Sequence, residues 1–120
     1  MLVHYVSVPT EDRPVYLRLR DSIAAMILEG KVRDGDPLPS VRSLAAEHGA
    51  NPLTVAKAYQ QLQNDALVEV QRGVGMFVTT GAAERLRRIE SERFLTEDWP
   101  VIRRKLRLLG LSLRELLAGS

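Results

Sequence analysis

At 120 residues the chain has room for one domain, or for a small domain with an appendage, and its hydrophobic share of 45% is ordinary for a globular protein. There is no cysteine, which excludes a disulfide framework and thiolate chemistry, and no apolar run approaches the ~18 residues that a membrane span requires. The net charge of +2 is uneven: residues 1–80 hold eight Lys or Arg against nine Asp or Glu, residues 81–120 nine against six, so a nucleic-acid partner of the first part must be met by cations gathered on one face.

Met1-Leu2-Val3-His4-Tyr5 lacks the basic start and apolar core of a secretory leader, and a cytoplasmic location is expected. Residues 1–13 read as a short extended piece that carries no chemistry. Pro14 opens a helix that runs to about Glu29, with Tyr16, Leu19, Ile23, Met26 and Ile27 following the helical period and Gly30 as its stop. The segment from Lys31 to Pro37 is a charged turn. Ser40, after Pro39, can cap a second helix, because its hydroxyl accepts from a backbone N–H that has no helical partner. Val41, Leu44 and Ala45 share one face of that helix, and Gly49 ends it.

Asn51-Pro52 starts a third helix: Asn is a strong cap, and the missing N–H of proline costs nothing at the first helical position. Val55, Ala58, Tyr59 and Leu62 form its apolar face; Thr54, Lys57, Gln60 and Gln61 lie elsewhere. A glycine-containing break of about three or four residues between two such helices suits a helix-turn-helix. Asp65-Ala66 closes the third helix. Leu67, Val68 and Val70, then Met76, Phe77 and Val78, are β-prone runs on either side of Arg72-Gly73-Val74-Gly75. That is a hairpin whose tip carries a cation able to reach a narrow groove or a phosphate.

Beyond Gly81 the character changes. Ala82 to Leu95 is charged and helix-prone, with Leu86, Ile89 and Phe94 as a thin apolar stripe. Pro100 either breaks the helix near Thr96 or kinks it. Trp99, Ile102, Leu106 and Leu109 then recur with heptad spacing until Gly110. Ser112 and Glu115 form a capping box for a last short helix holding Leu113, Leu116 and Leu117. A tail of ~40 residues this rich in Leu cannot bury its own stripe. It is therefore expected to pair with the same tail of a second copy through Leu86, Ile89, Trp99, Ile102, Leu106 and Leu109. The fold expected is mainly α with a small β-hairpin: a winged helix-turn-helix over residues 1–80, followed by a short helical dimerisation segment over residues 81–120.

Three separated blocks carry a resemblance: Leu38-Pro39-Ser40-Val41-Arg42 with Leu44-Ala45; Asn51-Pro52-x-Thr54-Val55 with Ala58-Tyr59-x-x-Leu62; and Arg72-Gly73-x-Gly75-x-Phe77-Val78. In this order they resemble the winged helix-turn-helix of the GntR family of bacterial transcription regulators, and the Asn-Pro-x-Thr-Val form with a short tail is similar to the small YtrA-type subfamily. The resemblance implies a sequence-specific regulator, a repressor by default, that binds a double-stranded DNA operator as a homodimer. It implies DNA contacts from Ser40, Arg42, Asn51, Pro52, Thr54, Lys57, Arg72 and Gly73. Leu53 and Gln63 depart from the family pattern, and Leu53 either meets a thymine methyl or is an apolar bystander.

Each residue also has a plainer role. Ser40 and Asn51 are caps first and DNA contacts second; Arg42 and Lys57 could be solvated surface cations. The clusters Arg85/Arg87/Arg88 and Arg103/Arg104/Lys105/Arg107 read as solvated helix faces, with a second DNA-backbone surface as the sharper alternative. Trp99 reads as dimer core. His4 and His48 are the only histidines, and neither belongs to a set with metal-ligand spacing. No cofactor and no enzymatic activity are expected, since nucleophile elbow, phosphate loop and catalytic His–carboxylate patterns are absent. A tail this short does not enclose a ligand pocket by itself, so a small-molecule effector would have to sit at the dimer interface. The competing reading is a winged-helix protein–protein interaction module that does not bind DNA.

Overall fold

The computed structural model describes residues 13–119; the short extended piece expected at the N-terminus lies, apart from Arg13, outside the described residues. Helix α1 spans Val15–Leu28 and buries Leu19, Ile23, Ala24 and Ile27, the stripe that its period requires. Its end is a Schellman turn in which Lys31 N–H reaches the Met26 carbonyl. A two-residue strand, β1 (Pro37–Leu38), leads into α2 (Val41–His48), and α3 (Pro52–Asn64) follows after Gly49, which is left-handed at φ 61°.

Strands β2 (Val68–Gln71) and β3 (Gly75–Val78) form the hairpin in the register Val68↔Val78 to Gln71↔Gly75. Strand β1 is an addition to what the sequence predicts. It pairs antiparallel with the other edge of β3, Pro37 against Phe77 and Leu38 against Met76, so the sheet has three strands in the order β1-β3-β2. Two residues are too short for a period-two pattern, which is why the segment reads as a turn.

The core is continuous across these elements. Val55, Ala58, Tyr59 and Leu62 of α3 meet Leu19, Ile23 and Ile27 of α1, Leu44 and Ala45 of α2, and Leu67, Val68 and Val78 at the sheet. Helix α4 (Ala82–Arg93) adds Ala82 and Leu86 to the same core, so its first part belongs to the winged domain as well as to the tail.

Pro100 does not break the helix near Thr96. One wide π turn, Phe94–Asp98, joins α4 to α5 (Trp99–Leu109), and the helical backbone is continuous. Widening the ladder accommodates a residue that has no N–H to donate. Gly110, at φ 70°, ends α5, and α6 (Leu113–Ala118) starts on the Ser112 cap, whose hydroxyl accepts from Glu115 N–H at 3.0 Å. No described residue beyond Leu86 is a buried hydrophobic. The molecule measures 56 × 29 × 23 Å with a radius of gyration of 16.9 Å, against about 13–14 Å for a compact domain of this length. The tail accounts for the difference.

Candidate nucleic-acid interface

Helix α3 is fastened from behind and open in front. Val55, Ala58 and Leu62 are fully enclosed, and the Tyr59 hydroxyl donates to the Pro39 carbonyl at 2.5 Å. Burial pushes the Tyr59 phenol up to about 12, so it remains a neutral donor. That bond also holds the residue just before α2 against the middle of α3. On the outer side Asn51, Pro52, Leu53, Ala56, Lys57 and Gln60 are exposed and Thr54 is half-buried.

Both expected caps form. The Ser40 hydroxyl accepts from Ser43 N–H at 3.0 Å and the Asn51 carbonyl oxygen from Leu53 N–H at 2.8 Å. Capping occupies only Oδ1 of exposed Asn51, so its amide N–H groups are not used by the cap. Arg42 is exposed and forms no ion pair among the described residues. Lys57 is exposed too, but its ammonium lies 4.3 Å from the centroid of the Tyr16 ring, drawn toward α1. His48 ends α2 and stays exposed; among the described residues no group of His, Cys, Asp or Glu could hold a metal ion.

The wing tip is a tight turn, Gln71 to Val74, closed by Val74 N–H on the Gln71 carbonyl at 2.8 Å. Gly73, at φ 77°, occupies the position of a type II turn that requires glycine, and Arg72 and Val74 project into solvent on either side. The β1–β3 register then relates the wing to α2. Because Leu38 pairs with Met76, β1 runs toward the Gly75 end of the hairpin and brings Ser40 and Arg42 out at the same end as Arg72 and Gly73. Apolar side chains occur here as well: Leu53 is 79% exposed and Val74 71%.

The expected dimerisation residues are not alike. Leu86 is fully buried among residues of its own chain, which removes it from those a second copy can reach; a helical stripe says that a residue is covered, not by what. Ile89, Trp99, Ile102 and Leu106 are half-buried, and Leu109 is exposed together with Leu95, Val101, Leu108, Leu113 and Leu117.

Two groups escape sequence reasoning. Arg85, which reads as part of a solvated cluster, instead donates to the Ala66 carbonyl at 2.9 Å, to the Thr79 hydroxyl and to the Thr80 carbonyl, and fixes the start of α4 to the end of α3. Arg20 is a buried cation in α1. It donates to Glu90 at 2.9 Å and Asp21 at 3.2 Å and lies 3.6 Å from Asp65. Burial disfavours its charge, yet the bonds and charges of Glu90 and then Asp21 outweigh that and hold its pKa above the ordinary value. A signal does exist: position 20 falls in the buried stripe four after Tyr16 and three before Ile23.

A family profile described as "Bacterial regulatory proteins, gntR family" matches residues 15–78. The HTH-type transcriptional repressor YtrA of Bacillus subtilis is 37% identical over 78 residues, which is 65% of this chain and 60% of that protein, so the chain spans less than two thirds of this relative's length. The uncharacterized HTH-type transcriptional regulator YhcF of the same organism is 30% identical over 113 residues, covering 89% of this chain and 87% of YhcF. Among solved structures, a GntR family transcriptional regulator from Listeria monocytogenes superposes with a TM-score of 0.75 at 28% identity, over 90% of this chain and 93% of that one. The DNA-binding domain of AraR in complex with operator ORR3 gives 0.54 at 27% identity over 55% of this chain and 80% of that one.

Proposed function

The chain belongs to the GntR family of bacterial regulatory proteins, and from that premise we propose that it is a homodimeric, sequence-specific DNA-binding repressor of transcription. The observation that carries this reading is the two-sidedness of α3. Its apolar face is sealed into the core, while Asn51, Pro52, Leu53 and Lys57 lie open on the other side. A reading helix needs this form, since it must enter a major groove without loosening the core beneath it.

Residues 1–80 act as the reading domain and residues 81–120 as the dimerisation segment, with Ala82 and Leu86 serving the core. Asn51 and Thr54 present amide and hydroxyl groups to base edges, and Leu53 offers an apolar contact for a thymine methyl. Arg42 and Ser40 hold phosphates, and the ring of Pro52, which has no N–H to donate, packs against the DNA surface beside them. Lys57, drawn toward Tyr16, suits a flanking phosphate better than a base. Arg72 and Gly73 form a wing contact in the adjacent minor groove or on its backbone. Pairing of Ile102, Leu106 and Leu109 with a second copy presents two reading helices to half-sites ~34 Å apart. A small-molecule effector would sit where the two copies meet; the groove lined by Leu28, Arg87, Glu90, Ser91, Phe94 and Leu95 is open to solvent and does not enclose one by itself.

A mobility-shift series on DNA selected from random fragments tests the reading. The Arg72→Ala, Lys57→Ala double variant is expected to weaken binding by about tenfold or more and to flatten the salt slope by roughly 0.9 for each phosphate left without its cation. Unchanged binding by this variant would favour a protein–protein module.

A further inference from the structure

The buried Arg20 lies where the reading helix and the tail meet. Its guanidinium, with only 6% of the side chain exposed, touches three carboxylates from three places: Asp21 beside it on α1, Asp65 at the C-cap of α3, and Glu90 on α4. The cluster extends to Arg13, 3.0 Å from Asp21, and Arg93, 2.6 Å from Glu90. Three cations thus balance three anions, and each acid remains partly hydrated while the central cation does not.

Such a cluster is weak evidence for stability, because desolvating the ions cancels most of their attraction. What it supplies is direction. Helix α4 is held to the domain at Ala82, Arg85 and Leu86, all close to its first turn. Held there alone, it is free to pivot. Glu90, one turn further on, is a second fixed point, and two points define an axis. Over the roughly 18 Å of a twelve-residue helix, a pivot of about 10° moves the far end by about 3 Å, close to the rise of one base pair.

We infer that Arg20 is a positioning residue that locks the tail helix to the reading helix through Glu90 and Asp65, and so sets the half-site spacing that the dimer accepts. This rests on the dimeric DNA-binding reading above. Arginine suits the task because its planar fork can hold several acceptors in fixed directions at once; lysine is a point charge on a flexible stem and cannot. Arg20 itself touches no DNA, so its effect lies in geometry and not in the affinity of one domain for one half-site.

The test uses the full chain and operators selected from random DNA, with the spacer between half-sites lengthened or shortened by one and two base pairs. Wild type is expected to lose about tenfold or more in affinity for a change of one base pair. Arg20→Met, which keeps the length of the stem, and Arg20→Lys should reduce that penalty below about threefold while binding an isolated half-site as wild type does. Glu90→Gln, at a partly exposed position, should give an intermediate penalty and keeps the test decisive if Arg20→Met does not fold. Folded variants that retain the full wild-type spacing penalty would overturn the inference and leave the regulator reading intact. A wild type indifferent to spacing, or unable to bind, would overturn the dimeric reading itself and this inference with it.

Discussion

Helices α3 and α5 both carry an apolar stripe at helical spacing, but they end in opposite circumstances. In α3, Val55, Ala58, Tyr59 and Leu62 are sealed in the core with residues of α1, α2 and the sheet. In α5, Ile102 and Leu106 are half-buried, Leu108 is 73% exposed and Leu109 is exposed as well. One helix is finished by its own chain; the other presents a stripe that the described residues leave partly open. An amphipathic pattern thus says that a face wants cover and is silent on who provides it. Exposed apolar side chains of this number are what the proposed pairing with a second copy would cover.

Substitutions that strike each stripe should separate the two cases. The largest effect is expected for Leu106→Asp or Ile102→Asp, which should convert dimer to monomer in analytical ultracentrifugation and reduce operator affinity by about a hundredfold, with thermal unfolding of the winged domain little changed. Leu62→Ala should do the reverse: a cavity under the reading helix costing about 2–5 kcal/mol, seen in urea denaturation, with the mode of assembly unchanged. If Leu106→Asp unfolded the whole chain, the tail would belong to the monomer core and the contrast would fail.

Smaller effects sharpen the picture at the joint between the regions. Ala66 sits in left-handed backbone at φ 58° in the turn after α3, and its carbonyl accepts from the Thr79 hydroxyl at 2.7 Å and from Arg85. Ala66→Gly is expected to raise stability by about 1 kcal/mol, since the Cβ is what makes that conformation costly. Calorimetry showing a loss would mean that the clamp depends on the alanine methyl. Raising pH probes the anchor of α3. Tyr59 titrates near 10.0 in the unfolded chain and near 12 in the folded one. Its contribution is therefore complete below pH 10 and is lost as pH climbs to 12. Tyr59→Phe should cost about 1 kcal/mol at neutral pH and remove this part of the alkaline decline.

Helix boundaries are readable because they are written in local chemistry. Ser40, Asn51 and Ser112 cap, and Gly49 and Gly110 stop, each through a bond within a few residues. The wing is readable for the same reason, its turn needing Gly73. What could not be read depends on partners far away in sequence. Strand β1 exists only because β3 offers it an edge. Leu86 reads as a residue for a second copy because its stripe is the same whichever surface covers it. Arg20 falls on the buried stripe of its helix, but its partner Glu90, seventy residues away, is not readable from that stripe. Of the candidate site, the two-sidedness of α3 follows from its motif, while the shared end of wing and α2 rests on the β1–β3 pairing. The drift of Lys57 toward Tyr16 does not, since it needs the packing of α1 on α3.

The proposed pairing of two copies through their tails, with α3 of each as reading helix, is the premise on which the other proposals stand. Hydroxyl-radical footprinting of the full chain on a selected operator tests this most directly. Two protected patches centred about 10 base pairs apart on one face of the duplex, both abolished by Leu106→Asp, are the predicted result. A single patch at saturating protein, or two patches that survive that substitution, would contradict it.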